Sequence, residues 1–310
     1  MATHEVALAR EPVQLRAGGR RWGEEAVRLL LALCAFVSVL TTLGIVVALL
    51  EPSIDFFRDV SVADFVRGTS WSPIIKPQSF GVVPLVTGTL LVTACACVVC
   101  MPFGLGAAIF LSEYARSGTR RVLKPALEVL AGIPTVVYGF FALVTFTPFL
   151  ERIGIEVTTF NALSAGLVMG VMLIPTVASV SEDAMSAVPQ ELRDGAYGLG
   201  ASRLQVATRI VVPAAISGIV ASYVLAISRA VGETMIVLIA AGGLANLTAD
   251  PRESVLTMTA FIGQTGIGDV ATGSIQYKTI FAVGLTLFAL TLLMNIVSIR
   301  LVRRYREAYE

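Results

Sequence analysis

The chain has 310 residues, 55% hydrophobic and only 15% charged, against roughly 25% charged in an ordinary soluble domain. With a mean hydropathy of +0.80, its composition is that of an integral membrane protein. The net charge of +1 offers nothing to a nucleic acid, and a single histidine, His4, leaves no basis for His-based catalysis or a His metal site.

Residues 1–26 read as a polar cytoplasmic arm carrying Arg10, Arg16, Arg20 and Arg21. Leu29 to Leu50 is an apolar run of 22 residues, long enough to cross a core of ~30 Å at ~1.5 Å per residue. It is too long for a signal h-region and has no clear cleavage site, so it reads as an uncleaved anchor, with the first span over 27–50. Residues 51–82 are polar but hold Phe56, Phe57, Phe65 and Trp71 with Pro73 and Pro77; this predicts a small extracytoplasmic subdomain with amphipathic pieces. A second span runs from about Val83 to Leu111. Its Gly88, Gly104 and Gly106 predict close helix approach, and Pro102 a kink. Cys34, Cys95, Cys97 and Cys100 all sit in apolar runs without a neighbouring His or carboxylate, so they read as small packing residues.

A basic loop follows, and Glu113 and Glu128 beside it are expected to pair locally with Arg120, Arg121 and Lys124. The third span covers about Leu127 to Leu150; Gly132 and Pro134 predict a break that turns backbone groups toward a cavity. The fourth covers about Asn161 to Val180 and the fifth about Pro213 to Gly243. After a second polar loop over 244–277 the sixth runs from about Ile280 to Ile299, ahead of a basic tail over 301–310. Sixteen Lys and Arg fall on the side of the N-terminus, the loops after spans two and four, and the tail; six fall on the other side. Basic loops stay cytoplasmic, so the fold class is an all-α membrane protein with six transmembrane helices and both termini cytoplasmic.

The polar segment 189–212 reads as helix, glycine turn, helix. Pro189 suits a first helical turn, Gly200 the C′ position that ends it, and Ser202 with Gln205 a capping box. Taken alone, it is either an ordinary loop with amphipathic helices or a docking element. Asp194-Gly195-Ala196, three residues, Gly200, nine residues, Ile210, one residue, then Val212-Pro213 resembles the coupling-loop motif of ABC importer permeases. The departures are Asp194 for Glu, Gly195 for the first Ala and Val212 for Leu. The resemblance implies that a separate ATPase docks on Asp194, Gly195, Ala196, Tyr197, Leu199 and Gly200. The chain holds no GxxxxGK[ST] of its own.

Further blocks, FGVVPLVTGTLLVT (80–93), PFGLGAAIFLSEYA (102–115), LEVLAGIPTVVYGFF (127–141) and SRAVGETMIVLIAAG (228–242), with WSP at 71–73 and TMTAFIG at 257–263, resemble the PstC-type permeases of phosphate ABC importers. This implies a type I importer fold over 83–300 in the inner membrane of a prokaryote. The implied partners are a PstA-type sister permease, an ATPase dimer, an extracytoplasmic phosphate-binding protein, inorganic phosphate and membrane lipid. No cofactor or metal is implied, and the subunit itself is not an enzyme. Other small oxyanions, such as sulfate or molybdate, keep the class and change the cargo; a non-transporting scaffold or sensor changes the class.

Arg229 and Glu233 are charges inside the apolar fifth span, where each costs about 2.5–3.5 kcal/mol. At i and i+4 on one helix they are expected to pair. Two readings stand: a structural ion pair, or a pair facing a substrate path in which a guanidinium meets a phosphate. Thr234, Tyr138 and Thr135 are the further path candidates, with Thr89 and Thr93 as weaker ones that fit bonding to their own helix equally well.

Overall fold

Long apolar runs in a membrane must satisfy their backbone internally, and this chain does so with helices. The computed structural model describes residues 22–304, with side-chain surroundings for 23–300. Most of the arm over 1–26 and of the tail over 301–310 therefore lies outside the described residues. In order, the elements are α1 (Trp22–Asp59), α2 (Val62–Arg67), β1 (Trp71–Ser72), β2 (Ser79–Phe80), α3 (Val83–Ile109), α4 (Ser117–Ala131), α5 (Thr135–Phe141), α6 (Thr147–Arg152), α7 (Ala162–Ser186), α8 (Gln190–Gly198), α9 (Arg203–Val206), α10 (Val212–Ala214), α11 (Ile216–Val231), α12 (Met235–Ala240), α13 (Met258–Ile267) and α14 (Ile275–Arg304). Wider π-helical turns join α3 toward α4 at Phe110–Tyr114, α5 to α6 at Ala142–Phe146, and α9 to α10 at Ala207–Val211.

By length and composition, four single helices can cross a membrane, and two bent pairs raise the number to six among the described residues. The bent pairs are 117–131 with 135–152, at 83°, and 203–214 with 216–231, at 73°. The expected break at Gly132 and Pro134 is present: Gly132 caps α4 and Pro134 precedes α5. The fifth span differs from expectation. It bends at Ala215, between α10 and α11, and it breaks again at Gly232, which caps α11, before α12 resumes at Met235.

The chain divides into two units, one ending at Ala48 and one starting at Leu49. In the first, the described residues form one continuous helix in which most apolar side chains from Leu29 to Val47 are exposed. The second unit holds the remaining elements around α7. That helix starts on the Asn161 side chain, which accepts from Ser164 N at 2.6 Å, and it buries Met169, Met172, Leu173 and Val177. α3 lies against α7 because small residues let the backbones meet. A Cβ on Gly104 would lie 2.6 Å from Val177 Cβ, and one on Gly170 would lie 2.7 Å from Ala96 O. Gly88 abuts Leu256 O instead, and Gly106 faces open space. The paired hairpin β1–β2 sets Trp71 opposite Phe80. From the segment 51–82, Phe56, Phe65, Trp71 and Val82 belong to the main hydrophobic core. Phe56 is fully buried, with Phe57, Phe65 and Phe80 at 5.2–5.6 Å between ring centres, and Trp71 meets Phe261 of α13 at 4.9 Å.

Gly170→Ala is expected to destabilise by about 1–3 kcal/mol, because the new methyl has only backbone and a branched side chain to displace. Gly195→Ala, whose Cβ meets nothing within 4 Å, is expected to be neutral or to stabilise by up to about 1 kcal/mol through helix propensity. Thermal melts of the two variants in detergent check the contrast.

Candidate coupling face and substrate path

The segment 189–212 folds as its capping residues dictate. Pro189 sits just before α8, and Gly200 follows its end at φ +82, a left-handed conformation that favours glycine. The Ser202–Gln205 capping box forms in full: Gln205 N donates to Ser202 Oγ, and Ser202 N donates to Gln205 Oε1 at 2.8 Å. The result is a short helix, a tight turn and a second helix whose apolar tips stand out. Leu199 is 91% exposed and Leu204 62%. Asp194, Gly195, Ala196, Tyr197, Leu199 and Gly200 thus form one projecting knuckle. Asp194 accepts from Gln190 one turn earlier, at 3.1 Å.

The inner side of that knuckle is bolted down by a residue that sequence reasoning did not single out. Arg193 is buried in α8 and donates to Met185 O at 2.8 Å and Val188 O at 2.6 Å. These are carbonyls at and just beyond the C-terminal end of α7, where a cation is favoured. The same guanidinium meets Glu113 Oε1 at 3.1 Å, the two side chains being 10% and 5% exposed. Glu113 therefore pairs with α8, not with the basic loop beside it. Arg120 and Lys124 also go elsewhere. Both pair with Glu182 of α7, whose side chain is 1% exposed; Lys124 Nζ lies at 2.8 Å. A carboxylate buried this deeply needs a cation, and those with free donors are on the facing helix α4. The available signal was an acidic residue bordering an apolar run; its partner was set by packing.

Arg229 and Glu233 do not pair. The helix ends between them, so the i, i+4 geometry is lost. Glu233 Oε1 instead accepts from Met235 N at 3.0 Å and Ile236 N at 3.4 Å, the unsatisfied amides that open α12. Arg229 is exposed and donates to Thr176 Oγ1 of α7 at 3.2 Å. Thr234 lies in the same break, its hydroxyl donating to Gly232 O at 3.3 Å, and Thr259 donates to Glu233 O at 2.7 Å. Thr135 opens α5 after the other break. Tyr138, 9% exposed, donates across that break to Leu130 O at 3.0 Å. The two post-break helices pack on each other, Gly139 of α5 lying against Ile239 and Met235 O of α12. Two interrupted spans are thus brought side by side, and side chains take the carbonyls at each break. Thr89 and Thr93 donate to carbonyls of their own helix, and Thr89 also accepts from Met258 N. At the end of the bundle away from α8, Arg252 forks onto Asp250 at 2.7–3.1 Å, and the hydrogen bonds from its side chain and backbone pull the Asp250 carboxyl down to about 2.

Residues 101–307 match the family model described as the binding-protein-dependent transport system inner membrane component. The "Probable ABC transporter permease protein YqgH" of Bacillus subtilis is 32% identical over 276 residues, 88% of this chain and 89% of that one. The "Phosphate transport system permease protein PstC" of Haemophilus influenzae is 30% identical over 308 residues, 92% and 95% of the two chains. In a solved bacterial alginate ABC transporter, one chain shares the fold at a TM-score of 0.62 and 16% identity, over 92% of this chain and 98% of that one. A chain of the MetNI methionine ABC transporter does so at 0.54 and 20%, over 73% and 95%. Interrupted apolar spans, a capped helix-turn-helix standing out from them, and a family match over two thirds of the length converge on one conclusion. The chain belongs to the binding-protein-dependent transport system inner membrane components and is a type I ABC importer permease subunit.

Proposed function

We propose that this subunit forms one half of the pathway of an inorganic phosphate importer. Its partners would be a PstA-type sister permease, an ATPase dimer docked on 194–200 from the cytoplasm and an extracytoplasmic phosphate-binding protein. The observation that carries the reading is Arg229: a permanent cation, exposed on this subunit, in an otherwise apolar span. Facing lipid it would be costly, so it faces a water-filled path or a second subunit. With Glu233 turned onto α12, the guanidinium is hydrogen-bonded among the described residues to a single neutral hydroxyl, Thr176, and keeps donors for a tetrahedral oxyanion. The PstC relatives support phosphate as the cargo. The YqgH relative carries no cargo in its name, and Arg229 with Thr176 suits sulfate or molybdate chemically as well. In the complex, ATP-driven motion would enter at α8 and reach α7 through Arg193, and thence the path at Thr176. Access would alternate by rocking of the two halves.

The test is uptake of labelled phosphate by proteoliposomes holding the purified complex, with sulfate and molybdate as competitors. Phosphate alone should compete. In the same assay Arg229→Gln is expected to cut uptake about tenfold, the worth of one charge-assisted hydrogen bond of about 1.5 kcal/mol. Uptake unchanged in an intact complex would remove Arg229 from the path.

A further inference from the structure

Beside the knuckle lies an open cleft of about 700 Å³ between the turn at 112–116 and the α8–α9 segment. Four arginines line it, Arg116, Arg120, Arg193 and Arg203, against a single carboxylate, Glu113. Two of the four are already committed: Arg193 to Glu113, and Arg120 to Glu182 behind the wall. Arg116 and Arg203 are exposed, and neither forms an ion pair among the described residues. The cleft therefore carries two uncompensated positive charges, on opposite walls, with Tyr197 between the cleft and the projecting Leu199.

We infer that this cleft receives an acidic segment of the docked ATPase, a loop or helix end bearing at least two carboxylates; the inference rests on the ATPase docking proposed above. Size argues against a lone small anion, because the cleft has the volume of a site for a drug-sized ligand rather than for a single phosphate. Continuity argues for a protein. Any surface that covers the 91% exposed Leu199 and the 62% exposed Leu204 also covers Arg203, which begins the same short helix. The apolar tips would supply the buried centre of the contact and the arginines its charged rim, which sets register and association rate more than depth of binding. Arg116 and Arg203 would thus choose among ATPases, while Arg193 and Glu113 hold the permease side in shape.

The test uses the purified complex of full-length chains, with the ATPase recognised by its GxxxxGK[ST] sequence. Retention of the ATPase on immobilised permease is measured from 50 to 500 mM salt for wild type, the double variant Arg116→Glu/Arg203→Glu, and the double variant Arg116→Lys/Arg203→Lys. The inference expects wild-type retention to fall with salt, the Glu variant to lose at least tenfold at 150 mM with an unchanged thermal midpoint, and the Lys variant to stay near wild type. The Lys variant is then treated with a zero-length carbodiimide. This joins a lysine amine to a carboxyl as an amide, with the carbodiimide taking up the water as urea. A crosslink from position 116 or 203 to an ATPase Asp or Glu supports the inference. Equal retention of the Glu variant, or crosslinks only to Glu113, would overturn it. A wild-type complex that contains no ATPase would instead overturn the docking itself.

Discussion

Arg193→Ala is expected to destabilise the protein by about 3–5 kcal/mol, seen as a fall in the thermal midpoint of the purified chain in detergent. The magnitude follows from what the guanidinium leaves behind. Glu113, 5% exposed, loses its cation, and breaking a buried pair from one side costs about that much because a charge is stranded. The carbonyls of Met185 and Val188 lose their donors as well, and unmade buried bonds carry their own penalty. Arg193→Lys is expected to recover only part of this, since a single ammonium does not span three acceptors fixed by a planar fork. The discriminating variant is Glu113→Gln added to Arg193→Ala: with no charge left to strand, the double variant should be more stable than Arg193→Ala alone. A loss below about 1 kcal/mol for Arg193→Ala would mean that the contact behaves like a surface pair. Transport should fall alongside, because α8 would then move without carrying α7.

Arg120→Ala/Lys124→Ala is expected to have a comparable effect for the mirror reason. Glu182 is 1% exposed and holds both cations. α4 has no buried residue of its own, so these ion pairs, with the Lys124–Asp183 contact at 2.9 Å, fasten it to α7. Removing both leaves an isolated buried carboxylate and an untethered helix, at about 3–5 kcal/mol. Two measurements separate those consequences. Amide hydrogen exchange should rise over 117–131 and stay low over 162–178. Adding Glu182→Gln should restore most of the thermal midpoint while leaving exchange in α4 fast. Single variants should cost less, because either remaining cation, 41% or 32% exposed, still compensates the carboxylate.

Both predictions rest on contacts that span long sequence separations, and that is where reading the chain in one dimension stopped. Local signals were legible wherever one residue's chemistry decides one residue's conformation. The Ser202–Gln205 box starts its helix, Gly200 takes the left-handed turn, and Gly132 with Pro134 breaks the third span. The break at Gly232–Thr234 was not legible. Apolar residues resume directly beyond it and no proline marks it, and Gly232 is equally at home inside a membrane helix. Its tertiary part is the bond by which Thr259, 26 residues on, takes the Glu233 carbonyl; the Glu233 carboxylate then caps the first amides of α12 locally. With the helix broken there, the expected Arg229–Glu233 pair is impossible, and Arg229 turns to Thr176, 53 residues away.

Composition, span lengths, caps and the charge asymmetry between loops are sums over single residues or near neighbours. They determine the class, the six-span plan and the knuckle that stands out from it. Which cation answers which buried carboxylate is a property of packed helices. Glu113 has Arg116, Arg120, Arg121 and Lys124 close in sequence, whereas Glu182 has no basic residue nearer than Arg193; in both cases the choice fell to cations whose helices the close contact of α3 with α7 and the bend before α5 bring into reach. A desolvated charge takes the partner that geometry offers within hydrogen-bonding distance, and only the assembled bundle sets that distance.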